Sequence, residues 1–102
     1  MSDAYARSAA LRERAHALIP GGAHTYAKGD DQFPRLSPGF ITHGSGCRVW
    51  DVDGNEFIEW GMGLRSVLLG HAHPAVVEAV ARELGNGSNF TRPAAIEVEA
   101  AE

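Results

Sequence analysis

Apolar and polar positions change period along the chain. Leu11, Ala15 and Leu18 recur at i, i+4 and i+7, with Arg12, Glu13 and Arg14 largely off that stripe, as on one face of an α-helix. Asp3 or Ser2 supplies a capping oxygen, and Pro20-Gly21-Gly22 stops the helix after about Leu18. From Ala23 to Gly39 the period disappears. Asp30-Asp31, Phe33-Pro34 and Ser37-Pro38-Gly39 are turn chemistry, and so long a loop is usually functional or packed on something else.

Short apolar runs then replace the helical period. Phe40-Ile41-Thr42, Arg48–Asp51 and Glu56–Trp60 read as three antiparallel strands, with turns at Gly44-Ser45-Gly46 and at Asp53-Gly54. Helical spacing returns at Pro74, whose φ suits a first helical position. His73 stands at the cap, Val76, Val77, Val80 and Leu84 form the face expected to be buried, and Gly85 ends the run. A last helix starts near Pro93, with Thr91 or Arg92 at its cap. Glu97, Glu99 and Glu102 crowd its far end, where the helix dipole disfavours negative charge. We therefore expect this helix to continue in a longer parent protein. The elements divide into an N-terminal helix and stop (1–22), a loop (23–39), a small antiparallel sheet (40–60), and a connector leading to the start of a larger domain (61–102).

Composition narrows the classes. The chain has 102 residues, 44% of them hydrophobic, but much of that share is alanine, so the margin for a self-sufficient core is thin. Thirteen acids against nine bases, interspersed, give a net charge of −4. That is not the clustered basic face of a nucleic-acid binder. No apolar run approaches the ~20 residues that span a bilayer. Cys47 is the only cysteine, which excludes an intrachain disulfide framework and points to a reducing, cytoplasmic setting.

Residue spacing decides among several chemistries. Asp51-x-Asp53-Gly54-Asn55 lacks the glycine at the sixth and the Glu at the twelfth position of a calcium loop, so a hairpin turn is the better reading. Gly61-Met62-Gly63-Leu64-Arg65-Ser66 lacks the third glycine of a dinucleotide fingerprint, and the next helix starts too late for a phosphate at its N-terminus. It reads as a connector whose glycines permit positive φ. His71 and His73 are two apart at a helix start, without the spacing of metal ligands, so capping and packing are expected. Cys47 reads as a small packed strand residue. Lys28, the only lysine, has Asp30 and Asp31 nearby, which favour its charged form. It suits contact with an anion better than covalent chemistry.

Three motifs occur in order: Leu18-Ile19-Pro20-Gly21-Gly22, Val49-Trp50-Asp51-Val52-Asp53-Gly54-Asn55, and Leu69-Gly70-His71-Ala72-His73-Pro74. Together they resemble the N-terminal part of class III aminotransferases, fold-type-I pyridoxal-phosphate enzymes, and within them the glutamate-1-semialdehyde aminomutase branch. The resemblance implies an α/β fold, a homodimer of much longer chains, and an amino group moved between an amino compound and a carbonyl compound. It also implies that the phosphate-binding turn, the Asp at the pyridine nitrogen and the covalent lysine lie outside these residues, so no catalytic or cofactor-binding residue is assigned here. By direct offset, the aminomutase Ser and Arg that meet the substrate carboxylate fall on Thr25 and Lys28. Lys keeps the charge but not the bidentate fork. An aromatic pocket residue falls on Leu64, followed by Arg65, which offers an alternative anion contact. Phe90 and Thr91 fall near the active-site entrance. Two other classes stay open on the residues alone: a small binding module, which should fold cooperatively by itself, and a His-based metal protein, which added zinc should stabilise.

Overall fold

A computed structural model describes residues 3–102, apart from the side chain of Asp3. Ser2, one of the two expected caps, lies outside the described residues. The described chain forms two compact units, one running to His71 and one from Ala72 to Glu102.

In the first unit, helix α1 spans Ala6–Leu18, after a 3-10 turn at Asp3–Tyr5. Its N-cap is Tyr5, not Asp3, and Tyr5 offers no side-chain bond to the free amides. A distant residue satisfies them instead. The Asp53 carboxylate accepts the Arg7 N–H at 2.7 Å, the Ser8 N–H at 3.0 Å and the Ser8 hydroxyl at 2.7 Å. These are donors that a local cap would otherwise take. Leu11 and Ala15 are half-buried, whereas Leu18 is exposed, so the expected stripe buries only in part. The start of α1 is held by polar bonds.

Three strands, β1 (Ile41–Ser45), β2 (Arg48–Asp51) and β3 (Glu56–Ile58), form an antiparallel sheet in that order. β1 includes Gly44 and Ser45, which the sequence assigned to the turn. The turn is Gly46-Cys47, with Ser45 opposite Arg48 and Gly46 at φ 58°. Cys47 is therefore exposed on a turn and not packed in a strand. β3 is shorter than expected, ending before Glu59 and Trp60, although the Glu59 N–H still donates to the Cys47 carbonyl at 2.9 Å. Val49 on the central strand is the one buried hydrophobic residue among those described. The rings of exposed His43 and half-buried Trp50 stack across β1 and β2 with centroids 4.7 Å apart.

The β2–β3 connection is longer than the two-residue turn expected, because the Asp51 side chain organises it. Asp51, 2% exposed, accepts the Asp53 N–H at 3.0 Å, the Asn55 N–H at 2.8 Å and the Asn55 side-chain amide at 3.0 Å. That amide also donates to the Ala4 carbonyl at 2.7 Å. Asp51 thus shapes the loop from which Asp53 and Asn55 reach the start of α1.

Partial burial pushes the Asp53 carboxyl up, but the Ser8 hydroxyl, the Arg7 and Ser8 amides and the Arg7 charge outweigh it and hold it below the usual 3.8. A depressed folded value means that its stabilisation is complete above the unfolded pKa and is lost as pH falls through the folded one. Exchange protection of the Arg7 and Ser8 amides should therefore decline as the solution is taken from neutral to below about pH 4. In Asp53→Asn, protection should be weaker at neutral pH and the acid-dependent decline largely gone. An unaltered decline in Asp53→Asn would assign the effect to another group.

In the second unit, helix α3 spans Pro74–Leu84 and helix α4 spans Ala95–Ala101. Here α2 denotes the short turn Met62–Arg65 of the first unit, described below. His73 holds the N-cap position of α3 as expected, without a side-chain cap bond. Val76, Val77, Val80 and Leu84 are 45%, 51%, 50% and 57% exposed. The stripe exists but is not buried, since a helical stripe buries only where another layer lies on it. α4 is capped at Ala94, whose backbone is extended, and not at Thr91 or Arg92. No helix among the described residues is long and apolar enough to cross a membrane.

Candidate functional site

The loop 23–39 is not featureless; it contains 3-10 turns at Tyr26–Lys28 and Asp30–Gln32. The first turn brings Thr25 and Lys28 together, because the Lys28 N–H donates to the Thr25 carbonyl at 2.9 Å. Thr25 is half-buried, with its hydroxyl 2.7 Å from His24 Nδ1. Lys28 is exposed and makes no ion pair among the described residues.

Asp30 has two basic neighbours. Arg12 Nε lies 3.2 Å and His16 Nε2 3.1 Å from its carboxylate. The His16 hydrogen bond, the largest influence, holds the Asp30 carboxyl below its usual 3.8; burial opposes it, and electrostatic attraction to His16 and Arg12 adds to the lowering. Arg12, His16, Lys28, Asp30 and Phe40 line a cleft of about 30 Å³. That is room for a single water, and no substrate fits. A larger groove of about 470 Å³ lies between α1 and residues 35–37, and holds none of the expected site residues.

The second pair, Leu64 and Arg65, sits on α2. Arg65 donates its N–H to the Gly61 carbonyl at 2.9 Å, and Val67 to that of Met62 at 3.0 Å. Yet φ is 48° at Met62, 56° at Gly63, 61° at Leu64 and 73° at Arg65. The turn is left-handed. Glycine takes that conformation freely, whereas each L side chain in it costs about 1–2 kcal/mol. The glycines alone therefore do not explain this connector; three side-chain-bearing residues share the positive φ expected only of glycine. Leu64 is 54% exposed, and Arg65 is exposed without an ion pair among the described residues.

Phe90 and Thr91 lie in the second unit, between α3 and α4. Gly87 approaches the Phe90 ring so closely that a Cβ there would stand 2.9 Å from its edge.

Two residues that the sequence reading did not single out as a pair meet beside α2. The Glu59 carboxylate contacts His71 Nε2. Its other oxygen accepts a long bond, 3.4 Å, from the Gly63 N–H inside the left-handed turn. His71 also pairs with Gly46 through two backbone bonds of 3.0 and 2.8 Å. The visible signal was the Gly-His-x-His-Pro string; its link to Glu59 across twelve positions has no local signature.

Residues 25–102 match the family model described as aminotransferase class-III. The glutamate-1-semialdehyde 2,1-aminomutase of Chloroflexus aggregans is 39% identical over 102 residues, 98% of this chain and 23% of the relative. That of Chloroherpeton thalassium is 41% identical over 96 residues, 93% and 22% of the two chains. Among solved structures, a transaminase with PLP bound superposes with a TM-score of 0.77 at 40% identity, covering 92% of this chain and 21% of that one. A glutamate-1-semialdehyde aminomutase from Pseudomonas aeruginosa gives a TM-score of 0.78 at 28% identity, covering 93% and 20%. The chain spans about 23% of the length of the first of these curated relatives.

Proposed function

The chain belongs to the class-III aminotransferase family, and from that membership we propose that it forms the substrate-positioning N-terminal part of a pyridoxal-phosphate-dependent aminotransferase or aminomutase. The complete enzyme moves an amino group between a small amino compound and a carbonyl compound, as a cytoplasmic homodimer. The observation that carries this reading is the ordered match over nearly the whole chain to aminomutases and to a transaminase with PLP bound.

The described residues do not fit the role of holding the cofactor. Lys28, the only lysine, is exposed beside Asp30, whereas a covalent lysine is activated by desolvation or by a neighbouring cation. The amides of Arg65 and Val67 are spent within the connector, which leaves no open cradle for a phosphate there. When bound, pyridoxal phosphate supplies an electron sink for the substrate's reacting carbon.

This segment works on the other end of the substrate. Arg65 holds the substrate's carboxylate, Leu64 shapes the wall where aminomutases carry an aromatic ring, and Thr25 and Lys28 form a second polar edge. Phe90 and Thr91, in the second unit, are assigned to the entrance of the complete enzyme by the family resemblance alone. The fork-shaped guanidinium of Arg65, without an ion pair among the described residues, makes it the stronger anion contact of the two cations. Comparing KM for a carboxylate-bearing substrate in Arg65→Ala and Lys28→Ala tests this assignment.

A further inference from the structure

The strained turn α2 is closed off at its base by a brace. Glu59, the residue after β3, and His71, at the end of the connector, meet through their side chains. Both are largely shielded, at 31% and 23% side-chain exposure. The same Glu59 reaches the Gly63 amide, and the His71 backbone is pinned to Gly46. The path therefore runs from the β1–β2 turn through His71 and Glu59 into the middle of α2. Gly44 allows it: a Cβ there would stand 2.7 Å from His71 Cγ, closer than such atoms approach. Gly70, at φ 89°, lets the connector pass so near Gly46 that its own Cβ would sit 3.0 Å from Gly46 Cα.

We propose that Glu59 and His71 are positioning residues that hold the left-handed turn Met62–Arg65 so that Leu64 and Arg65 are presented to the substrate. This deepens, and rests on, the reading of Arg65 as the carboxylate contact. Three side chains in a disfavoured backbone region persist only where their surroundings over-determine them. Within the turn the Ser66 hydroxyl donates to the Gly63 carbonyl at 2.8 Å, and the brace adds the link that ties the turn back to His71 and the sheet.

Limited trypsin digestion of the full chain reads the order of α2 directly, by comparing cleavage after Arg65 with cleavage after Arg48 inside β2. In Glu59→Ala and His71→Ala, cleavage after Arg65 should rise about tenfold, because cutting tracks the population of the locally opened state. Cleavage after Arg48 should stay unchanged. His71→Gln, which keeps a side-chain N–H toward Glu59, should remain near the parent rate. Adding Leu64→Gly to Glu59→Ala should bring the rate back down, since glycine takes the left-handed region without a brace.

Parent-like cutting in both alanine variants overturns the proposal. So does equal acceleration at Arg48 and Arg65 in the alanine variants and in His71→Gln, which would make the pair a general structural support. In the pyridoxal-phosphate-loaded enzyme, Glu59→Ala should also raise KM for a carboxylate substrate, with no further rise when Arg65→Ala is added. Faster cutting with an unchanged KM would keep the brace and overturn the reading of Arg65 instead.

Discussion

Asp51→Ala should destabilise the fold by about 3 kcal/mol, among the largest single-residue effects in the chain. Asp51 is 2% exposed and accepts three hydrogen bonds. Alanine leaves the Asp53 and Asn55 backbone amides without their acceptor and takes one of two from the Asn55 side chain, and stranded donors cost about 1–3 kcal/mol each. The loss spreads, because the loop shaped by Asp51 is the one from which Asp53 caps α1 and Asn55 reaches Ala4. Against a typical domain stability of about 5–15 kcal/mol the change is large. Asp51→Asn keeps one acceptor oxygen and should fall between. By contrast, the Arg48–Glu56 pair is half exposed, and its removal should cost under about 1 kcal/mol. Urea unfolding of the three variants measures the difference. An Asp51→Ala effect no larger than that of the exposed pair would mean that the polar clamp is incidental.

Arg65→Ala should raise KM for a carboxylate substrate about 30-fold in the complete enzyme, the loss of one charge-assisted contact worth roughly 2 kcal/mol. Lys28→Ala should cost only a few-fold. Lys28 lines a cleft with room for one water and lies beside Asp30, and it offers a point charge where Arg65 offers a fork. Arg65→Lys should recover part of the loss. kcat should change little, since a contact made equally in the ground state and the transition state moves KM alone. The reverse ranking of Arg65 and Lys28 would return the carboxylate to the loop position that the aminomutase offset indicates.

What the sequence made legible was local. α1, the three strands and α3 follow from period and from punctuation by Pro20, Gly85 and the glycine turns. The misplacements have physical causes. Gly44 and Ser45 looked like a turn because glycine is usually a breaker, but in β1 Gly44 makes room for the His71 side chain. Cys47 moved from strand to turn as a consequence. The cap expected for α1 failed because Asp53 caps that helix from 45 residues away, a link with no sequence periodicity, whereas His73 stands at the N-cap of α3 as expected. Helical spacing in α3 marked an apolar face but could not say what, if anything, covers it. At the candidate site, Thr25 with Lys28 and Leu64 with Arg65 were legible as neighbours in sequence. The left-handed backbone of α2 was not, because only Gly63 among its four residues advertises positive φ.

We propose that this segment positions substrate and does not attach the cofactor. The direct test is a visible-absorbance titration of the purified chain with pyridoxal phosphate, beside a Lys28→Ala control. We expect no band in the chain beyond that of the control, because its one lysine is solvent-exposed and lacks a desolvating pocket. A stoichiometric band that disappears in Lys28→Ala would show a complete covalent site within these residues and contradict the account.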